Sequence, residues 1–366
     1  MRVTVLGTGN AAITAAYHQA RNGVDVCLFG MPGYEKPLQD IHEAGGIEAL
    51  AHHEGNALIL PGKASPHTLT TDIQTAVSFA DLMIMPVPSF AQVPVFRQIL
   101  PFLKSGQTIC LMPGNYGSLA LRHIQQQAGY GHLMLDFVDC ISIPWATRLV
   151  GPAQLAIYGM KQQLPAATLP ANRSEPILAR LSSLFGLPFT PLANVIEAGL
   201  ENINFGGHPL MTICNIGLLE NFAGDFNFYR DCCSPSIARV ADKLDQERLS
   251  VGRAFGLTLK TELAAMNALY GTDFSSVYEL NRGSETHGKI NSAPASADSR
   301  YITEDVPYLL VPCLALARLA GVETPVLEAC VQLASTLNGT DYLAQGRTLD
   351  SLGLAGLKAV EVLERC

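Results

Sequence analysis

The sequence predicts an α/β domain with a doubly wound, mostly parallel sheet, followed by a mainly α-helical domain. Three observations carry this. Residues 2–6 (RVTVL) form an apolar run that meets a glycine-rich turn and then an alanine-rich helical pattern. Continuous apolar runs go on alternating with helical stretches through roughly the first half of the chain, as strands buried on both faces do. After about residue 195 only long helical periods remain. A chain of 366 residues also exceeds one ordinary core, so two domains are expected. The turn-rich "LPFTPLAN" (187–194) puts their boundary at 192/193, giving domains 1–192 and 193–366.

The first strand passes through "GTGN" into a helix ending at Arg21, with Gly23 as its stop, and "VDVCLF" (24–29) returns as the second strand. This is one βαβ unit. "ADLMIMPVPS" (80–89) and "QTICLMPGN" (107–115) read as buried strands ending in turn residues, with helical "FAQVPVFRQILPFL" between them. "HLMLDFVDCISIPWATR" (132–148) and "AQLAIYGM" (153–160) read as further sheet, covered by a helix around "EPILARLSSLFG" (175–186). In the second domain the helical patterns include "NINFGGHPLMTICNIGLLENF", "SPSIARVADKLDQERLSVGRAFG", "YLLVPCLALARLAG" and "PVLEACVQLASTLNG". "KINSAPASADS" (289–299) is a polar loop.

Hydrophobic residues make up 48% and charged residues 15%, enough for large cores and too apolar for disorder. A net charge of −8 leaves no basic stripe for nucleic acid or an anionic membrane, so a small molecule is the expected partner. No run reaches the roughly 18 apolar residues of a membrane span, and the strand beginning at residue 2 leaves no room for a cleaved signal. A cytoplasmic protein is expected. The nine cysteines show no C-x-x-C and no zinc spacing, so buried reduced thiols are expected and no metal. The apolar faces of a helical domain of this size also suit pairing, which leaves a homodimer open.

"GTGNAA" (7–12) fits G-x-G-x-x-G/A. Gly7 makes the tight turn, Gly9 lets the backbone approach a pyrophosphate, and Ala12 lets helix and sheet pack closely. Asn10 and Ala11 open the helix whose N-terminal amides would face the anion. The motif alone is weak, but it follows a strand and opens a helix, the context that a Rossmann dinucleotide site requires. Gly30 stands where an acid would bond the adenosine ribose, at the end of the second strand. It neither makes that bond nor repels a 2′-phosphate, which favours NADP(H) over NAD(H), with Lys36 the single basic residue nearby. Pro88 and Ser89 in "PVPSFA" and Asn115 in "PGNYGS" lie at the carboxyl ends of strands, where such sheets bind ligands; ordinary turns would read the same.

A nicotinamide enzyme needs a side chain that moves a proton near neutral pH, and histidine suits that. Positions 18, 42, 52, 53, 67, 123 and 132 lie in the first domain and read as surface or capping residues; His208 and His287 lie in the second. His208 sits in "NFGGHPLMTICN", where Gly206, Gly207 and Pro209 interrupt a helical stretch, which also suits a histidine at a helix kink. "SRYITEDVPYLLVP" (299–312) puts Arg300, Glu304 and Asp305 before a buried run. Asp305 could hold an imidazole tautomer and stabilise imidazolium. The two acids could equally serve as charges at a helix N-terminus. Arg300 could pair with them or grip a substrate carboxylate.

Taken in order, "GTGNAA", "SIPWATR" (142–148), "NINFGGHP", "RYITEDVPY" and "GRTLDSLGL" (346–354) resemble the octopine/nopaline (opine) dehydrogenase family over nearly the whole chain. The resemblance implies a Rossmann domain joined to a helical domain, with substrates in the cleft between them. It implies reductive condensation of an amino acid with a 2-oxo acid to a secondary-amine dicarboxylate, and the reverse oxidation. The family's catalytic histidine falls on His208, its partner aspartate on Asp305 and its carboxylate-binding arginine on Arg300. Arg148 is a further residue shaping the site. A plain 2-oxo-acid reductase on the same scaffold would use the same His–Asp pair, and a dinucleotide-binding protein without chemistry would lack one of them.

Overall fold

In the computed structural model, residues 1–51, 61–284 and 293–366 are described; His52, His53, His287 and the start of the 289–299 loop lie outside them. The chain forms two compact units, Met1–Ala198 and Gly199–Cys366. The break lies beyond the 192/193 boundary expected from the turn-rich segment. The reason is local: Phe189–Pro191 pairs as a strand in the first unit's sheet, and the Asn194 side chain accepts from the Glu197 amide in the turn that follows.

The first unit opens with β1 (Arg2–Leu6), α1 (Asn10–Arg21), β2 (Asp25–Phe29), α2 (Lys36–Ala44), β3 (Ile47–Ala51), β4 (Gly62–Ala64) and β5 (Thr68–Thr70). Next come α3 (Ile73–Phe79), β6 (Leu82–Met85), α4 (Ser89–Ile99), β7 (Thr108–Leu111), α5 (Gly117–Gln127) and β8 (Asp136–Cys140). It closes with β9 (Trp145–Gly151), β10 (Gln154–Met160), β11 (Leu164–Leu169), α6 (Ser174–Phe185), β12 (Phe189–Pro191) and α7 (Val195–Leu200), which spans the break.

The main sheet has eight strands in the order β12-β11-β8-β7-β6-β1-β2-β5. All neighbours run parallel except β8 and β11. Val3, Val5, Leu6, Val26, Leu28, Met83, Ile84 and Ile109 are fully or almost fully buried, as helices on both faces of a parallel sheet demand. From β1 the chain crosses to β2 on one side, while β6 lies on the other. The carboxyl ends of β1 and β6 are therefore the switch point where such sheets bind ligands.

The strands read from 145 to 160 do not extend this sheet. β9 and β10 form a second, four-stranded sheet with β3 and β4, in the order β4-β3-β10-β9. β3 and β4 carry no clear sequence signal, since "IEALA" fits a helix as well as a strand and "GKA" is too short to read.

His18 is also placed differently from expectation. It is 1% exposed, accepts from Trp145 Nε1 at Nδ1 (3.2 Å) and meets the Phe185 ring edge-on, so it is a core residue rather than a surface or capping one. All nine cysteines are free thiols. Seven are buried, Cys366 is half-buried, and Cys214 is exposed where a buried thiol was expected.

The second unit is helical: α8 (Asn204–Cys214), α9 (Ile216–Asn221), α10 (Phe228–Cys232), α11 (Pro235–Ala254), α12 (Glu262–Tyr270) and α13 (Val277–Gly283). These are followed by α14 (Arg300–Thr303), α15 (Val311–Ala320), α16 (Pro325–Asn338), α17 (Tyr342–Gln345) and α18 (Ala359–Val362). Among the described residues no helix is long and apolar enough to cross a membrane.

Candidate active site

At the end of β1, Gly7 takes φ +115°, and a Cβ there would lie 2.8 Å from Val87 Cγ1. Both the backbone and the space call for glycine. Gly9 precedes α1 with extended backbone, no side chain caps the helix, and a Cβ on Gly9 would meet nothing within 4 Å. That combination is an open cradle over the helix's first amides, and it fits a pyrophosphate. Ala12 is fully buried, as close helix–sheet packing requires. Ala11 lies in the first turn beside it. Asn10 turns its amide away to donate to Thr147 O (3.0 Å), and Thr14 Oγ1 meets Thr147 Oγ1 (3.0 Å), which ties α1 to β9.

Gly30 has a packing reason of its own, because a Cβ there would lie 2.9 Å from Leu38 Cδ1. Glu35 is the nearest following acid. It accepts from the Gly33 amide (2.8 Å), and that bond holds its carboxyl below the usual range. Lys36 is exposed and ion-paired to Asp40. Across the switch point Pro88 precedes α4, and Asn115 Nδ2 donates to Ser89 Oγ (2.8 Å), so these two side chains join the rims of β6 and β7. Arg148, on β9, is exposed and donates to Thr147 O (3.0 Å).

In the second unit His208 lies in the second turn of α8. Gly206 lets α12 approach, since a Cβ there would lie 2.2 Å from Glu262 Oε2. His208 Nδ1 is 2.9 Å from Asp305 Oδ2 although 97 residues separate them, and its Nε2 is 2.9 Å from the Tyr229 hydroxyl. Tyr301 stacks on the imidazole, with centroids 3.8 Å apart and planes at 9°. The His208 and Asp305 side chains are only 15% and 7% exposed. Burial pushes the Asp305 carboxyl up to about 6, while the bond to His208 pulls it down.

Asp305 sits between α14 and a π-helical turn, Val306–Leu310. Behind that turn the C-terminal "GRTLDSLGL" segment packs tightly: Arg347 N donates to Pro307 O (2.9 Å), and a Cβ on Gly346 would come 2.6 Å from the same oxygen. Arg300 clasps the buried Glu304 through Nε (2.7 Å) and Nη2 (2.5 Å), while most of its side chain stays exposed. Nη1 has no hydrogen bond among the described residues, so one edge of the guanidinium is open to a ligand.

His208 and Tyr229 line a cavity of about 40 Å³ shared with Met211, Glu262, Met266 and Asn281. Glu262 is partly buried, and burial, then the Asp245 carboxylate, pushes its own carboxyl up to about 8. Tyr229, Tyr301 and Glu262 were not legible as site residues. Tyr301 lies inside the same distinctive segment as Asp305, whereas "NFYRDCC" and "TELAAM" carry no motif. Among the described residues no group of three or more His, Cys, Asp or Glu is arranged to hold a metal.

Residues 191–338 match the model of the NAD/NADP octopine/nopaline dehydrogenase alpha-helical domain. Residues 2–114 match that of the NAD-dependent glycerol-3-phosphate dehydrogenase N-terminus. The opine dehydrogenase of Arthrobacter sp. (strain 1C) is 31% identical over 360 residues, covering 98% of this chain and 96% of that protein. The chain belongs to the octopine/nopaline (opine) dehydrogenase family. It is thereby an NAD(P)-dependent oxidoreductase. An octopine dehydrogenase solved with NADH and agmatine matches with a TM-score of 0.80 at 21% identity, over 99% of this chain and 98% of that one. A yersinopine dehydrogenase with NADP+ bound matches at 0.76 and 16% identity, over 100% and 99%. These two likenesses establish that the opine dehydrogenase fold extends over both units.

Proposed function

We propose that this opine dehydrogenase joins the amino group of an amino acid to a 2-oxo acid and reduces the resulting imine, with His208 as its proton-transfer group. The observation that carries this reading is the 2.9 Å His208–Asp305 bond at the edge of a cavity. A neutral amine attacks the carbonyl carbon, and the carbinolamine then loses its hydroxyl as water. Both steps need a proton moved at one place, off nitrogen and onto the departing oxygen. Asp305 takes the Nδ1 proton into its hydrogen bond, which leaves Nε2 as the working nitrogen and stabilises the imidazolium between steps.

The open edge of Arg300 suits a substrate carboxylate, with Glu304 holding the guanidinium still. Arg148 is assigned a secondary part in shaping the substrate site. Gly7, Gly9, Asn10, Ala11 and Ala12 would hold the pyrophosphate of the dinucleotide, with Gly30, Pro88, Ser89 and Asn115 around it. When bound, the reduced dinucleotide supplies the hydride that reduces the C=N bond.

NADPH is the preferred donor in this reading. Gly30 offers no carboxylate to the ribose, Glu35 is engaged by Gly33, and the exposed Lys36 is the nearby cation. The test is oxidation of NADPH and NADH with pyruvate, with and without a panel of amino acids. Oxidation that requires the amine supports the reading and ranks the two cofactors. Equal rates without amine would make the enzyme a 2-oxo-acid reductase instead.

A further inference from the structure

We propose that Tyr229 is a catalytic residue that carries the proton between His208 and the reacting oxygen of the 2-oxo acid. This rests on the His208 reading above and extends its proton path by one residue. Both imidazole nitrogens are engaged, Nδ1 by Asp305 and Nε2 by the Tyr229 hydroxyl, and Tyr301 stacks on one ring face. Nε2 is the nitrogen that the mechanism needs, and the phenol already stands on it at 2.9 Å. Tyr229 lines the same small cavity as His208, so a substrate group that reaches into it meets the hydroxyl at the exit of the proton path.

The bond directions make this a relay. With Asp305 accepting from Nδ1, the neutral ring presents a lone pair at Nε2, and the Tyr229 O–H donates to it. The ammonium formed when the amine attacks gives its proton to the phenol oxygen as the phenol proton passes to Nε2. In the resulting imidazolium, Nε2–H donates to the phenol oxygen and the phenol proton turns toward another acceptor. When the carbinolamine hydroxyl is that acceptor, the nitrogen lone pair forms the C=N bond as the C–O bond breaks, and water leaves with the phenol proton. The phenol O–H reforms from Nε2–H, and His208 returns to neutral. One proton has moved, Tyr229 is unchanged, and nothing is oxidised or reduced. The phenol takes one proton as it gives another, so it never carries a full charge.

The position is rigid. Phe228, fully buried, precedes Tyr229 on α10, and Asn227 caps that helix by accepting from Arg230 N (2.9 Å). The Tyr229 ring packs against the buried cluster that includes Met211 and Phe228, so a phenylalanine would occupy the same place.

The experiment is Tyr229→Phe in the full-length enzyme, with His208→Ala alongside. Tyr229→Phe should lower kcat about 10- to 1000-fold, leave KM for the oxo acid and dinucleotide affinity within a few-fold, and keep the thermal midpoint. A proton inventory in mixed H2O and D2O should be bowed in the wild type, with two protons in flight, and straight in the variant. Installing 3-fluorotyrosine at 229 should restore most of the rate. If Tyr229→Phe stays within twofold of wild type with an unchanged inventory while His208→Ala is inactive, the relay is wrong and the His208 reading stands. Full activity in both variants would overturn the His208 reading as well.

Discussion

Two histidines of this protein are enclosed by aromatic rings, and their surroundings divide at one point. His18, on α1, has Trp145 and Phe185 at its edges, accepts the indole N–H at Nδ1, and buries an Nε2 that has no partner among the described residues. Burial with no counter-charge pushes it down to about 4, so at neutral pH it is an uncharged core residue. His208, on α8, has Tyr301 on its face and Phe228 at its edge, but it also has a carboxylate at Nδ1, a hydroxyl at Nε2 and a cavity beside it. An aromatic enclosure by itself makes a structural histidine. The buried anion and the access to a ligand are what suit the second ring to proton transfer.

The widest separation of the two rings should come from truncating each. His208→Ala is expected to lower kcat about 10²- to 10⁴-fold with dinucleotide affinity and unfolding midpoint nearly intact. His18→Ala should leave turnover close to wild type while costing about 2–4 kcal/mol of stability, from the cavity and the orphaned indole N–H. Steady-state kinetics and urea unfolding on both variants check the pair, and the comparison breaks if the two phenotypes are exchanged.

A finer cut is Asp305→Asn, which keeps an acceptor for Nδ1–H and removes the charge. Loss of kcat by about 10- to 1000-fold, with substrate KM moving less, is expected if the anion matters rather than the hydrogen bond alone. Turnover equal to wild type would reduce Asp305 to a prop.

The pH dependence of stability isolates His18. Its native pKa lies below that of the unfolded chain, so between about 6.5 and about 4 the unfolded state binds a proton that the native state does not. Stability therefore falls as pH is lowered through that window, by on the order of 3 kcal/mol from this residue. His18→Gln, which can still accept from Trp145 but does not titrate, should flatten that slope in urea midpoints measured across the window. An unchanged slope would mean that other groups set it.

The smallest effect on the fold is expected at the other end of α1. Gly9→Ala adds a methyl where nothing lies within 4 Å, so the thermal midpoint should hold. The methyl would nonetheless stand in the pyrophosphate cradle, and the dinucleotide Kd should rise about 10-fold or more. An unchanged Kd, read by fluorescence titration of the reduced cofactor, would take the cradle away from Gly9.

Local features of the sequence were sufficient for the βαβ start, the glycine turn and the order of buried strands and helices. Each is decided within a few residues: Gly7 by a positive φ, β1 by a continuous apolar run, α1 by its alanines. The same holds for His208 and Asp305 as a pair to be watched, because each sits in a distinctive segment. The second sheet was not legible, since β3 and β4 are short and become strands only by pairing with β10 and with each other. The burial of His18 was not legible in the sequence, because its partners stand 127 and 167 positions further along the chain.

The sequence by itself determined the fold class, the glycine turn and the candidacy of His208, Asp305 and Arg300, because propensity, periodicity and turn chemistry act over short separations. Tertiary structure alone decided which of those residues meet. It set Asp305 on Nδ1 and Tyr229 on Nε2, committed Arg300 to Glu304, and gave His18 an indole instead of a carboxylate. Burial and partner charge set what a titratable group can do, and both depend on packing between segments far apart in the chain.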